Sequence, residues 1–241
     1  IIHGANPECL IFKDLIPRYL ESDHGWKEST YELNKRLLNG YIKFGFPKNK
    51  TTRAMTVRVV NSCNRWGFKN ELIPNYNPIP GGNKYNIRDR VFTHSELKTL
   101  FDEVTPKHFN QFVQFAYYTG ARSGEIRRIS SQNVFFDYMF VDGKSGHRIV
   151  KLNSQAREIL NNNSLWDYTI NYVPLTWRRN VNRLGIANVR FHDLRRTFGY
   201  NLIKQGRPIY EVSKLLGHSS VTTTEKHYAP LRTIQIEEFI L

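Results

Sequence analysis

The stretch that most constrains the fold runs over residues 75–90, NYNPIPGGNKYNIRDR, which carries two Pro and two Gly and shows no periodic apolar pattern. Such a segment neither propagates a helix nor pairs as a strand, so it reads as a linker. It predicts a first domain over residues 1–80, a linker over 81–90 and a second domain over 91–241. Both pieces are long enough to bury a core, and 40% hydrophobic and 13% aromatic residues supply the apolar surface for it.

Before the linker, Leu10, Leu15, Tyr19 and Leu20, then Tyr31, Leu33, Leu37, Leu38 and Tyr41, recur at helical spacing and predict a small helical bundle. After it, Thr93 and Glu96 form a capping-box pattern ahead of Leu97, Leu100, Phe101 and Val104. Pro106 opens a second helix, with Phe109, Phe112, Val113, Ala116 and Tyr117 on one stripe, and Gly120 ends it. A short helix follows from Ser123. Residues 134–141 and 147–152 are rich in β-branched and aromatic types around the turn residues Asp142, Gly143, Ser145 and Gly146, which predicts a β-hairpin. Further helices are expected over 153–160, 175–184, 193–205, 208–216 and 220–228. The expected fold is mainly α with one small antiparallel hairpin.

Charge narrows the function. Lys and Arg number 35 against 21 Asp and Glu, a net +14 that a folded surface must carry, and a polyanion is the partner such a surface meets. Between Glu32 and Glu71 no acidic residue occurs, while Lys35, Arg36, Lys43, Lys48, Lys50, Arg53, Arg58, Arg65 and Lys69 line up. Solvated faces normally mix both signs, so this block is expected to bind nucleic acid. The sequence contains no run of 18 apolar residues and no signal-peptide pattern, and a soluble, intracellular protein acting on DNA is expected. Cys9 and Cys63 make neither a disulfide framework nor a zinc motif, and no metal or cofactor is expected.

Four segments of the second domain place basic or nucleophilic side chains at helix starts and turns, where backbone N–H groups favour anions. TGARSGEI sets Arg122 between two helices, and VDGKSGH sets Lys144 at the hairpin tip. FHDLRRTFGY puts His192 and Arg195 three apart at a helix start, with Leu194, Phe198 and Leu202 as the buried stripe and Arg196 directed elsewhere, toward a backbone contact. LLGHSS places His218 after Gly217, and Tyr228 follows ten residues later. Singly, each is more often a surface or core residue. Together, two guanidiniums, an ammonium, two imidazoles and a phenol form a set for metal-free attack on a phosphodiester.

In this order, and above all in HDLRRTFGYNLIKQG and LLGHSSVTTTEKHYA, the chain resembles the tyrosine recombinases of the phage-integrase family over nearly its whole length. The resemblance implies a helical core-binding domain and a catalytic domain that cleaves and rejoins DNA through a 3′-phosphotyrosyl link without metal or ATP. It implies Arg122 and Arg195 as the clamp on the phosphate, Tyr228 as nucleophile, and Lys144 as the acid for the leaving 5′ oxygen. His192 and His218 would assist proton transfer, with Glu125 supporting them. It further implies a tetramer on two duplexes, with accessory DNA-bending proteins as possible partners, and the apolar residues Ile234, Ile236, Phe239, Ile240 and Leu241 of the tail 229–241 are expected to dock on a neighbouring protomer. One departure stands out: Tyr228 lies ten positions after His218, where many members have the tyrosine nine positions on, the place His227 takes here. A DNA-relaxing topoisomerase shares the chemistry, and a non-catalytic DNA-binding protein shares the charge.

Overall fold

The computed structural model describes residues 12–82, 88–143 and 146–232. Cys9, Leu10, Lys144, Ser145 and the tail residues Ile234, Ile236, Phe239, Ile240 and Leu241 lie outside the described residues. The chain divides into two compact units, residues 1–86 and 87–241.

Three helices make up the described part of the first unit: α1 (Phe12–Glu21), α2 (Glu28–Phe44) and α3 (Lys50–Lys69). The apolar stripes predicted from spacing close on one another, with Leu15, Ile16, Tyr19, Leu38, Val60, Cys63 and Ile73 in one core. Burial of each large aliphatic side chain contributes about 1.5–3 kcal/mol. Asn49 caps α3, its side chain accepting from the Thr52 N–H at 3.0 Å. Gly67 lets α1 cross α3 closely, since a Cβ there would lie 2.6 Å from Leu15 Cδ2. The first part of the expected linker is pinned to α3. Asn61 brackets Ile79, donating to its carbonyl at 2.8 Å and accepting from its N–H at 2.9 Å, and Arg58 donates to the Gly82 carbonyl at 2.7 Å.

The second unit holds α4 (His94–Glu103), α5 (Lys107–Thr119), α6 (Ser123–Ile126), the strands β1 (Tyr138–Gly143) and β2 (Gly146–Lys151), then α7 (Ser154–Asn161), α8 (Tyr172–Arg183), α9 (Asp193–Lys204), α10 (Ile209–Leu216) and α11 (Val221–Arg232). The capping box at Thr93 and Glu96 forms as predicted. Helix α5 is central, packed on α4, α7 and α9, with Phe109, Phe112, Val113 and Phe115 fully buried. It stops at Gly120, whose φ of +61° is left-handed and whose missing Cβ leaves room for the Phe198 ring, 2.5 Å from where that atom would sit.

Strands β1 and β2 pair antiparallel, Val141 opposite Arg148 and Met139 opposite Val150. The hairpin begins four residues later than its composition predicts. Residues Ser131–Asn133 form a 3₁₀ turn, and the Phe135 N–H bonds to the Tyr138 carbonyl at 2.8 Å, folding the chain back before β1 starts. Helix α8 begins earlier than expected, at Tyr172, because Pro174 falls in its first turn, where a missing N–H costs no bond.

Candidate active site

Helix α9 organises the site. Its Arg195 is buried, and the guanidinium donates to two backbone carbonyls from distant segments: Gly120, at 2.6 Å, and Leu216. One contact fixes the end of α5 just ahead of Arg122. The other fixes the end of α10 just ahead of His218. The three segments singled out in sequence are thus drawn together on one side chain.

Arg122 precedes α6, and its backbone N–H and Nη1 both donate to the Glu125 carboxylate, at 2.8 and 2.7 Å. Glu125 is 2% exposed. A second arginine reaches it from β2: Arg148 Nε donates to Oε1 at 3.1 Å and Nη2 to Oε2 at 2.8 Å. Burial alone would raise the carboxyl pKa, but the hydrogen bonds and charges of Arg148 and Arg122 outweigh it and hold it at about 2. Gly217, with φ +61°, closes α10 and adjoins the same arginine, since a Cβ there would meet Arg148 Cδ at 2.4 Å.

The positive groups depress one another. Burial, then the charges of Arg122 and Arg148, bring Arg195 down to about 9. His218, which shares a 2.7 Å hydrogen bond through Nδ1 with Thr224 Oγ1 of α11, is lowered to about 4 by burial and then by Arg195 and Arg122. His192 keeps an exposed edge, yet desolvation of its ring, followed by the charges of Arg195, Arg196 and Arg122, brings it to about 4. Glu125, the carboxylate at the centre of this cluster, is committed to two arginines. Among the described residues no group of three or more His, Cys, Asp or Glu could hold a metal ion. Arg122, Arg148 and Arg195 give the cluster an excess of positive charge over the single carboxylate.

Tyr228 lies on α11, 3% exposed, packed with Ile203, Val212 and Leu216. Its hydroxyl abuts α9, where a Cβ on Gly199 would stand 2.4 Å from Oη. Burial pushes the phenol up to about 12, against the opposing pull of Arg195 and Arg196. His227, at the commoner family spacing, lies beside Tyr228 in sequence and also feels the charge of Arg196. It is half-buried, its Nδ1 has no hydrogen-bond partner, and its pKa is lowered by burial and then by Arg196. Arg196, expected to point away from His192 and Arg195 toward a backbone contact, is 9% exposed and donates to Asp193 Oδ1 at 3.0 Å.

Asp193 and Arg148 were not singled out from the sequence. Asp193, 1% exposed, also accepts from Arg88, 2.8 Å from Nη2 to Oδ2, and from the Arg190 N–H at 2.8 Å. The nine residues of the acid-free block, Lys35, Arg36, Lys43, Lys48, Lys50, Arg53, Arg58, Arg65 and Lys69, are all exposed. None forms an ion pair among the described residues. Arg58, Arg65 and Lys69 fall on one face of α3 by their spacing.

The fold is shared with lambda integrase: its residues 75–356, solved as a dimer bound to a COC′ core site, superpose with a TM-score of 0.76 at 17% identity, covering 95% of this chain and 99% of that one. The Tn1549 transposon integrase superposes with a TM-score of 0.58 at 12% identity, over 93% of this chain and 92% of that one. Residues 168–233 match the phage integrase family model. The shufflon-specific DNA recombinase of Escherichia coli is 30% identical over 162 residues, 62% of this chain but 42% of its own length. A tyrosine recombinase of Pseudothermotoga lettingae is 29% identical over 237 residues, 86% of this chain and 81% of that one. The integrase of Salmonella phage P22 is 28% identical over 176 residues, 60% of this chain and 45% of its own. Residues 168–233 thus carry a phage integrase family domain, and over most of its length the chain is similar to a tyrosine recombinase.

Proposed function

We propose that this protein cleaves and rejoins DNA strands at specific sites through a covalent link to Tyr228. The observation that carries the reading is Arg195, which ties the Arg122 segment and the His218 segment to the helix against which Tyr228 packs. The Tyr228 oxygen attacks the scissile phosphorus as the phenol passes its proton to one of the neutral imidazoles, His192 or His218. The bond from phosphorus to the 5′ oxygen breaks, and that oxygen leaves as a hydroxyl after taking a proton, which we assign to Lys144. One phosphodiester replaces another, so no ATP is consumed, and a 5′ hydroxyl from a second strand reverses the step onto a new partner. Charge spread over the non-bridging oxygens in the transition state is met by Arg122 and Arg195, with His192 and His218 beside them.

The first unit is assigned to hold the duplex through the nine exposed basic side chains of its acid-free block. Assembly as a tetramer on two duplexes is supported by the likeness to lambda integrase, which has been solved as a tetramer bound to a Holliday junction, and the tail 229–241 is assigned to dock on a neighbour. The test is covalent capture. Incubation with DNA of the element that encodes the protein, denaturation and sequencing of the protein-linked fragments should recover one site, joined through its 3′ phosphate. Tyr228→Phe should bind that site and yield no linked DNA. Linked DNA from the Phe variant excludes Tyr228, and relaxation of supercoiled plasmid with no preferred site indicates a topoisomerase instead.

A further inference from the structure

We propose that Arg148 is a positioning residue for the phosphate clamp, acting through Glu125 to keep Arg122 available to an anion. The inference rests on the function proposed above. The carboxylate of Glu125 has four acceptor directions in use. Arg122 fills two with its N–H and Nη1, and Arg148 fills the other two side-on with Nε and Nη2. Arg122 and Glu125 alone would sum to zero charge, with the guanidinium spent on a buried carboxylate. Adding Arg148 leaves the trio at +1. The side chains are 35%, 1% and 12% exposed for Arg122, Glu125 and Arg148, so the member that meets solvent is the one that must meet the phosphate.

Arg148 also joins separate parts of the site. Its Nη1 donates to the Leu215 carbonyl at 3.4 Å, and its stem crosses Gly217, next to His218, where any larger residue would collide with it. Strand β2 is thereby held to the loop that presents His218, and the carboxylate stays aligned on Arg122.

A purely structural bridge and a charge-balancing one differ in how they respond to removal of the acid. In Arg148→Met, Glu125 is left with Arg122 as its only cation and competes with the phosphate for it. Adding Glu125→Gln removes that competitor. On the captured site, presented as a nicked substrate under single-turnover conditions, Arg148→Met should form adduct about a hundredfold more slowly than wild type. The Arg148→Met/Glu125→Gln double variant should regain about tenfold of that loss. A double variant as slow as Arg148→Met, or slower, overturns the inference while the proposed function stands. A second readout needs no turnover: binding of inorganic phosphate, followed by phosphorus NMR, should weaken in Arg148→Met and recover in the double variant, and failure to recover overturns the inference on this ground too. Wild type that binds phosphate in this pattern yet forms no adduct with any captured DNA overturns the proposed function and leaves the role of Arg148 in place.

Discussion

Replacing Glu125 with Gln keeps the shape of the side chain and removes its charge, so it isolates what the carboxylate contributes. The group is buried and its pKa falls from the ordinary 4.5 to about 2. A depression of that size corresponds to roughly 3 kcal/mol at neutral pH, since one pKa unit is about 1.4 kcal/mol. The sign follows from linkage: a carboxyl with a lowered folded-state pKa stabilises the protein above its unfolded pKa, near 4.3, and loses that contribution as pH falls through the folded value. The gap in unfolding free energy between wild type and Glu125→Gln should be roughly 3 kcal/mol at pH 7 and about half of that at pH 3. Urea denaturation of both proteins at the two pH values measures it, and other titrating groups cancel in the difference. A gap that stays constant from pH 7 to pH 3 refutes the assignment of this stability to the ionised carboxylate.

Two other expectations concern the nucleophile and the duplex. Gly199→Ala adds a methyl where the Tyr228 hydroxyl now lies 2.4 Å away; overpacking costs about 1–3 kcal/mol and the gain in helix propensity returns about 1, so the phenol should be pushed from its slot at a small net cost in stability. Tyr228 should then react faster with tetranitromethane, read by peptide mass spectrometry, and an unchanged rate refutes the packing. Replacing Arg36, Lys43 and Arg53 together with Ala should flatten the plot of log affinity against log salt by about 0.9 for each phosphate no longer neutralised, with no change in the preferred site. An unchanged slope removes these three from the DNA-facing surface.

Much of this architecture is legible in local chemistry. The capping box at Thr93, the stops at Gly120 and Gly217 and the stripe of α5 each follow from a rule that acts within a few residues. The candidate site is legible for a different reason: its members stand at helix starts and turns, in an order that resembles a family. Arg148 escapes both routes. It sits in GHRIVK as a charged residue whose type suggests solvent, although it alternates with exposed His147 and Ile149 and shares the inner face of β2 with Val150, and its partner Glu125 lies 23 positions earlier. Asp193 escapes likewise, because Arg88 lies 105 positions away and its own helical neighbours are equally compatible with an exposed cap. Ion pairs of long sequence separation leave no periodicity. The signal that could have found them is arithmetic: a buried acid in a strongly basic chain must be neutralised, so an acid in an otherwise basic motif asks for a partner.

The same arithmetic explains why the cluster is unfavourable to itself. Arg122, Arg148 and Arg195 answer to one carboxylate, and after burial, the larger cause, this excess charge lowers the pKa values of Arg195, His192 and His218. An anion among them would oppose each of these shifts, because opposite charge favours the protonated form of every neighbour. In the proposed reaction a phosphate would therefore bind more tightly than any single contact implies, and would raise the histidines toward the range where they can carry a proton. Tyr228 responds in the opposite sense: burial keeps its phenol near 12, and an added phosphate charge raises it further. In the proposed reaction, proton loss from the phenol is then coupled to attack rather than preceding it. That coupling restrains the nucleophile until an acceptor for its electrons, the scissile phosphorus, is in place.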